Sequence, residues 1–195
     1  MTQQEFLDFL HVAERLKTVT RHCYTAGGTH EAVAGHCWRL SLMALLLGPE
    51  LPELDMDRVL RMCIVHDLGE AVTGDIPSFL KTDADERREE GAVAALLSLL
   101  PGPQRNMLCA LFAEWDAQET PEARFCRALD KLEAVLQHNE SDLATWTPVE
   151  YELNRTYATE NAAEFPYLAA LRALLRRQTD EKIAGGVSSW WTILH

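Results

Sequence analysis

The sequence predicts an all-α protein, and three observations carry that prediction. Apolar residues recur at steps of three and four along most of the 195-residue chain. Helix-breaking residues such as Gly48-Pro49 and Pro101 fall at the ends of those periodic stretches. No segment alternates apolar and polar residues between turn signals, as a half-buried strand would.

The first predicted helix covers residues 3–16, with Phe6, Leu7, Phe9, Leu10, Ala13 and Leu16 on one stripe. Residues 18–30, rich in Thr, Gly and His, read as irregular. A second helix runs from about Glu31 to Leu47 and stops at Gly48-Pro49. A third opens at Asp55, an N-cap residue, and carries Val59, Leu60, Cys63 and Ile64 toward Gly69. After the loop Thr73–Pro77 a fourth helix covers 84–100; its charged first half (Asp85–Glu90) reads as a solvated face. Further helices are expected at 103–116, 121–143 (opened by Pro121), 148–159 and 166–183. Without repeats or a long linker, residues 1–195 read as one domain: C-terminal helices over 148–183, then an apolar tail, 187–195. That tail, with Trp190, Trp191, Ile193 and Leu194, is too apolar to be left in water. It packs either on its own domain or on another subunit.

The formal net charge of −12 argues against wrapping a nucleic-acid polymer or lying on an anionic membrane. A small phosphorylated ligand remains compatible, because Arg15, Lys17, Arg21 and Arg39 outnumber Glu31 around residues 15–39. The longest apolar run, Leu42–Leu47, is far short of the ~20 residues a membrane span needs. The start of the chain has neither the basic nor the apolar part of a secretory signal. Five cysteines (23, 37, 63, 109 and 126), odd in number and without a CxxC pair, read as reduced thiols. The expected location is therefore the cytoplasm.

The chain contains no GxxxxGK[ST], GxGxxG or GxSxG, so P-loop, dinucleotide and nucleophile-elbow chemistries have no support. His30-Glu31 with His36 is not a HExxH zinc site: six residues turn a helix by about 240°, whereas two ligands on one face need a step of four. What stands out is a set of polar residues on apolar stripes. His36 is in line with Val33, Leu40, Met43 and Leu47; His66 follows Val59 and Cys63, with Asp67 beside it; Asp130 lies between Leu129 and Leu132. A buried carboxylate needs a partner. One divalent cation would satisfy two His and two Asp at once. His66 and Asp67, about 100° apart on a helix, can share an ion only near a helix C-terminus. Two imidazoles and two carboxylates without a thiolate suit Co, Mn, Zn, Ni or Fe, with positions left open for chemistry.

The words around these residues are more specific: Glu31-Ala32-Val33-Ala34-Gly35-His36, Val65-His66-Asp67-Leu68-Gly69-Glu70, Gly74-Asp75-Ile76-Pro77, Arg87-Arg88-Glu89-Glu90 and Leu129-Asp130-Lys131-Leu132-Glu133. Over about residues 10–145 this order resembles the HD-domain metal-dependent phosphohydrolases, and within them the YfbR-type 5′-deoxynucleotidases. The resemblance implies an HD-type helical bundle that removes the 5′-phosphate from nucleoside monophosphates, deoxyribonucleotides foremost. It implies His36, His66, Asp67 and Asp130 as metal ligands, Glu70 and Asp75 as catalytic carboxylates, and Arg21 on the substrate phosphate. His22 then falls in the sugar pocket, where the family usually has Trp. With no histidine between Asp67 and Asp130, a single metal ion is expected; a homodimer is implied by resemblance. Trp115 and His138 read as core or surface residues with no functional role, and Lys131 as an ion-pair partner on its helix. Two other readings share the ligand set: an HD phosphohydrolase of another nucleotide or small phosphoester, and a non-catalytic helical module that binds a metal or nucleotide.

Overall fold

A computed structural model describes residues 1–185. The helices in chain order are α1 (Gln3–Ala13), α2 (Val33–Leu47), α3 (Met56–Val65), α4 (Glu70–Thr73), α5 (Asp83–Leu97), α6 (Gly102–Ala117), α7 (Pro121–Glu140), α8 (Pro148–Thr156), α9 (Thr159–Ala163) and α10 (Pro166–Ile183). The all-α expectation holds, with one correction: two strands, β1 (Thr20–Tyr24) and β2 (His30–Ala32), pair in a small sheet. Residues 18–30 are therefore not simply irregular, and the second helix begins at Val33 rather than Glu31. The turn between the strands closes through Gly28 N donating to Thr25 O at 3.0 Å and Thr25 N to Thr29 O at 2.7 Å. Gly28 has φ +79°, a left-handed conformation that glycine adopts without penalty.

Other boundaries follow local chemistry. Thr2 and Glu5 form a reciprocal capping box at α1, Thr82 and Asp85 one at α5, and Thr147 and Glu150 one at α8. Asp55 caps α3 by accepting from Arg58 N at 3.2 Å, as its sequence position predicts. The first helix tightens to a 3-10 turn over Glu14–Lys17, and α7 ends at Glu140, before the expected 143. The expected helix 148–159 divides, because Ala158, with φ +66°, separates α8 from α9.

The contacts group the chain into two compact units: Met1–His22 with His30–Cys126, and Cys23–Thr29 with the chain from Arg127. In the first, Leu16, Val33, Cys37, Leu68, Ala71 and Leu96 form a buried cluster, with Phe9, Val12 and Phe112 packed against it. In the second, α7 contributes Leu129, Leu132 and Val135 and α10 contributes Leu168 and Leu175 to the buried apolar set. A buried polar knot also ties this unit: Asn154 donates to Asn139 Oδ1 at 2.9 Å and to Thr179 Oγ1 at 3.1 Å, and Asn139 donates to Leu175 O at 3.0 Å. Such a network stabilises only when its members are satisfied, and these are. The apolar tail 187–195 lies outside the described residues. Among the described residues no helix is long and apolar enough to cross a membrane.

Candidate active site

The end of α3 builds the centre of the site. His66 caps that helix with helical backbone angles, its N–H bonded to Met62 O at 2.9 Å. Tight turns follow, with Leu68 N donating to Val65 O at 3.0 Å and Glu70 N to Asp67 O at 3.0 Å. In this turning backbone the adjacent side chains reach one point, as sequence geometry requires of a shared ion: His66 Nε2 lies 3.2 Å from Asp67 Oδ1. The stripe of α2 brings in His36, whose Nε2 is 3.7 Å from Asp67 Oδ2. The two imidazoles meet edge to face at 5.5 Å, and the ligand atoms of all three residues lie within 4.8 Å of one another.

This trio fits a divalent cation. The Cys63 carbonyl can only accept a hydrogen bond, and it lies 3.1 Å from His66 Nδ1, so Nδ1 carries the ring proton. A neutral ring then turns the lone pair of Nε2 toward the Asp67 carboxylate, an arrangement that a positive ion between them stabilises. Cys37, beside His36, aims its thiol at Asp67 Oδ2 from 4.0 Å, a weak donor that the sequence reading overlooked. Asp130 stands on α7 within the second unit, half-buried between Leu129 and Leu132, both buried.

Two more carboxylates border the trio. Glu70 opens α4 and is 8% exposed, and its Oε2 has no hydrogen-bond partner among the described residues. Burial, reinforced by the charges of Asp67, Asp75 and Glu89, pushes its carboxyl up to about 10. Asp75, in the loop after Gly74, is also raised by burial; Arg21 opposes that rise and Asp67 adds to it. Arg21 projects from β1 and pairs through Nη1 with Glu31 Oε2 of β2 at 3.1 Å, both side chains largely buried. His22, the next residue, meets the ring of Phe79 edge to face at 5.5 Å.

Several neighbours were invisible in the sequence. Trp115 of α6 packs on the His66 ring, with centroids 4.8 Å apart. Glu31 anchors Arg21, which a helical reading of residue 31 hides. Glu89 of α5 pairs with Lys81 and lies against Gly69, where an added Cβ would come within 2.9 Å of Glu89 Cγ and of Val93 Cγ2. Glycine at position 69 is thus what lets α5 approach the turn bearing Asp67 and Glu70. In the second unit, Lys131 donates to Asn161 Oδ1 at 2.9 Å and lies 5.4 Å over the Tyr157 ring. His138 is buried and bonded through Nε2 to Glu150 Oε1 at 3.0 Å, which settles it in the core rather than on the surface.

Comparison with known proteins agrees with this architecture. An HD domain family model matches residues 13–170. The chain is 31% identical over 191 residues to the 5′-deoxynucleotidase HDDC2 of Bos taurus, spanning 95% of this chain and 91% of that protein. It is 29% identical over 155 residues to the 5′-deoxynucleotidase hdd1 of Schizosaccharomyces pombe, spanning 71% and 77%. A crystal structure of a predicted metal-dependent phosphohydrolase from Magnetospirillum magnetotacticum superposes with a TM-score of 0.72 at 31% identity, covering 93% of this chain and 95% of that one. With this match over most of its length, and with paired imidazoles and an aspartate drawn together at the end of α3, the chain belongs to the HD domain family.

Proposed function

We propose that this protein is a metal-dependent phosphohydrolase that removes the 5′-phosphate from deoxynucleoside monophosphates. The observation that carries the reading is the convergence of His36, His66 and Asp67 within 4.8 Å, in a chain whose relatives over most of its length are named 5′-deoxynucleotidases. His36, His66 and Asp67, joined by Asp130, would hold one ion of Co, Mn, Zn, Ni or Fe. When bound, that ion supplies Lewis acidity at the phosphate and makes water a competent nucleophile near neutral pH.

The remaining work falls to this chain's own side chains. Arg21 presents a planar fork of donors to the phosphate oxygens, and Glu31 fixes its direction. Glu70, held protonated by burial in the metal-free site, is suited to hold a proton at Oε2 and exchange it with water or the departing 5′ oxygen. Asp75 orients water from the opposite loop. His22 lies on the sugar side of Arg21. His22 stands where the family usually has Trp, so comparing dAMP with AMP reads its part in the sugar contact.

A cytoplasmic location suits a chain whose cysteines at positions 23, 37, 63, 109 and 126 form no disulfide among the described residues. A homodimer is supported by apolar residues exposed on α2 and α3, namely Trp38, Leu42, Leu45, Leu46 and Ile64. Sedimentation of the wild type and of Leu46→Asp tests it, with dissociation expected in the variant.

The test of activity is phosphate release from dAMP and dTMP, with each of several divalent metals supplied and bound metal quantified. Metal-dependent release from both is expected. Release from neither with any metal would sink the proposal and favour a binding module.

A further inference from the structure

Phe79 is an exposed aromatic side chain of the first unit whose backbone and ring are both held in place. A turn fixes its backbone: Leu80 N donates to Pro77 O at 2.8 Å and Lys81 N to the same oxygen at 3.1 Å. Lys81 is in turn tied to α5 by its ion pair with Glu89. The ring ends against His22 with centroids 5.5 Å apart and planes 89° apart, and still leaves 39% of the residue's surface in solvent. Asp75, four residues earlier, has its carboxyl acted on by the charge of Arg21. An aromatic ring is therefore fixed against His22, the chain neighbour of the residue assigned to the phosphate, while much of its surface stays in solvent.

We propose that Phe79, steadied by His22, is a specificity-determining residue that stacks on the nucleobase of the substrate. The inference rests on the nucleotidase reading and adds to it a contact remote from the phosphate. An edge-to-face pair occupies at most one face of the Phe79 ring, so a planar ligand can take the other. Every nucleobase offers a π face, so such a platform favours base-bearing phosphoesters over sugar phosphates without choosing strongly among bases. Arg21 and the carboxylates handle the phosphate whatever the rest of the ligand is; Phe79 gives the site a means of sensing the base.

The test uses metal-loaded wild type, Phe79→Ala, Phe79→Leu and Phe79→Trp. Two substrates are compared, dAMP and 2-deoxyribose 5-phosphate, together with equilibrium binding of 2′-deoxyadenosine, which has no phosphate to lose. Phe79→Ala is expected to raise KM for dAMP and weaken deoxyadenosine binding, each by about tenfold. Its KM for 2-deoxyribose 5-phosphate should move by less than about threefold. Phe79→Leu, which keeps bulk without a π face, should behave like the alanine variant, and Phe79→Trp should restore the wild-type ratio. Equal shifts on both substrates, or deoxyadenosine binding that does not respond to Phe79→Ala, would overturn the base contact. Failure of the nucleotidase reading looks different: the wild type would release no phosphate from any deoxynucleoside monophosphate. A loss of deoxyadenosine binding in Phe79→Ala would then still support the contact.

Discussion

Trp115 packs its indole on the imidazole of His66, with ring centroids 4.8 Å apart and planes tilted by 52°. The contact confines a ring whose Nδ1 is already held by the Cys63 carbonyl, so the direction of Nε2 is fixed from two sides. Trp115→Ala is expected to cost about 3–5 kcal/mol of stability as a large-to-small change at a buried site. It should also weaken metal binding by about tenfold, because His66 loses its backing. Urea midpoints and chelator competition measure the two effects. Unchanged metal affinity would limit Trp115 to packing.

Glu70 makes the metal-free protein sensitive to alkali. Its carboxyl is held protonated up to about 10 against an ordinary 4.5, chiefly by burial and then by Asp67 and Asp75. The folded state therefore keeps a proton that the unfolded chain releases once pH passes about 4.5. Stability should fall as pH rises from about 4.5 to about 10, by at most about 1.4 kcal/mol per pH unit from this group. Glu70→Gln keeps the shape and cannot ionise, so its slope should be shallower. Urea midpoints in chelator at pH 6 and pH 9 decide the matter; parallel losses in both proteins would contradict a protonated Glu70.

Two glycines near α5 should respond in opposite directions. At Gly69 a Cβ would meet Glu89 Cγ and Val93 Cγ2 at 2.9 Å, while at Gly91 it would meet nothing within 4 Å. Gly69→Ala is expected to destabilise by about 1–3 kcal/mol, and to lower activity because Glu70 is its neighbour. Gly91→Ala, in the middle of a helix, should stabilise by about 0.5–1 kcal/mol. Thermal melts of the pair provide the comparison.

The Arg21–Glu31 pair can be dissected by conservative changes. Arg21→Lys keeps the charge but loses the fork, and kcat/KM should drop at least about tenfold, or about 1.4 kcal/mol. Glu31→Gln removes the carboxylate paired with a largely buried guanidinium, and should cost about 3 kcal/mol of stability. Steady-state kinetics and denaturant midpoints read these separately. A lysine variant with wild-type kcat/KM would remove Arg21 from the phosphate.

What the sequence made legible was whatever helical periodicity encodes. His36 and His66 stood out because each interrupts an apolar stripe, and both prove to be buried on those stripes. The adjacency of His66 and Asp67 implied a helix end, and α3 stops at Val65. Strands of five and three residues are too short to display alternation, so β1, β2 and the Arg21–Glu31 pair stayed hidden. Trp115 and His66 belong to different helices, and no local pattern links them. The left-handed Ala158 that divides α8 from α9 carries no glycine signal either. Asp130 was singled out by its place on an apolar stripe, and it is half-buried on α7.

The pairing of β1 with β2 has an implication for how this fold tolerates change. Along a strand, successive side chains point to opposite faces, so a single residue inserted within Thr20–Tyr24 would exchange the outlooks of Arg21 and His22. The same insertion in the tip between Thr25 and Thr29 would leave both where they are. Natural variants of this protein should therefore vary in length at the tip, while the strand keeps a constant residue count.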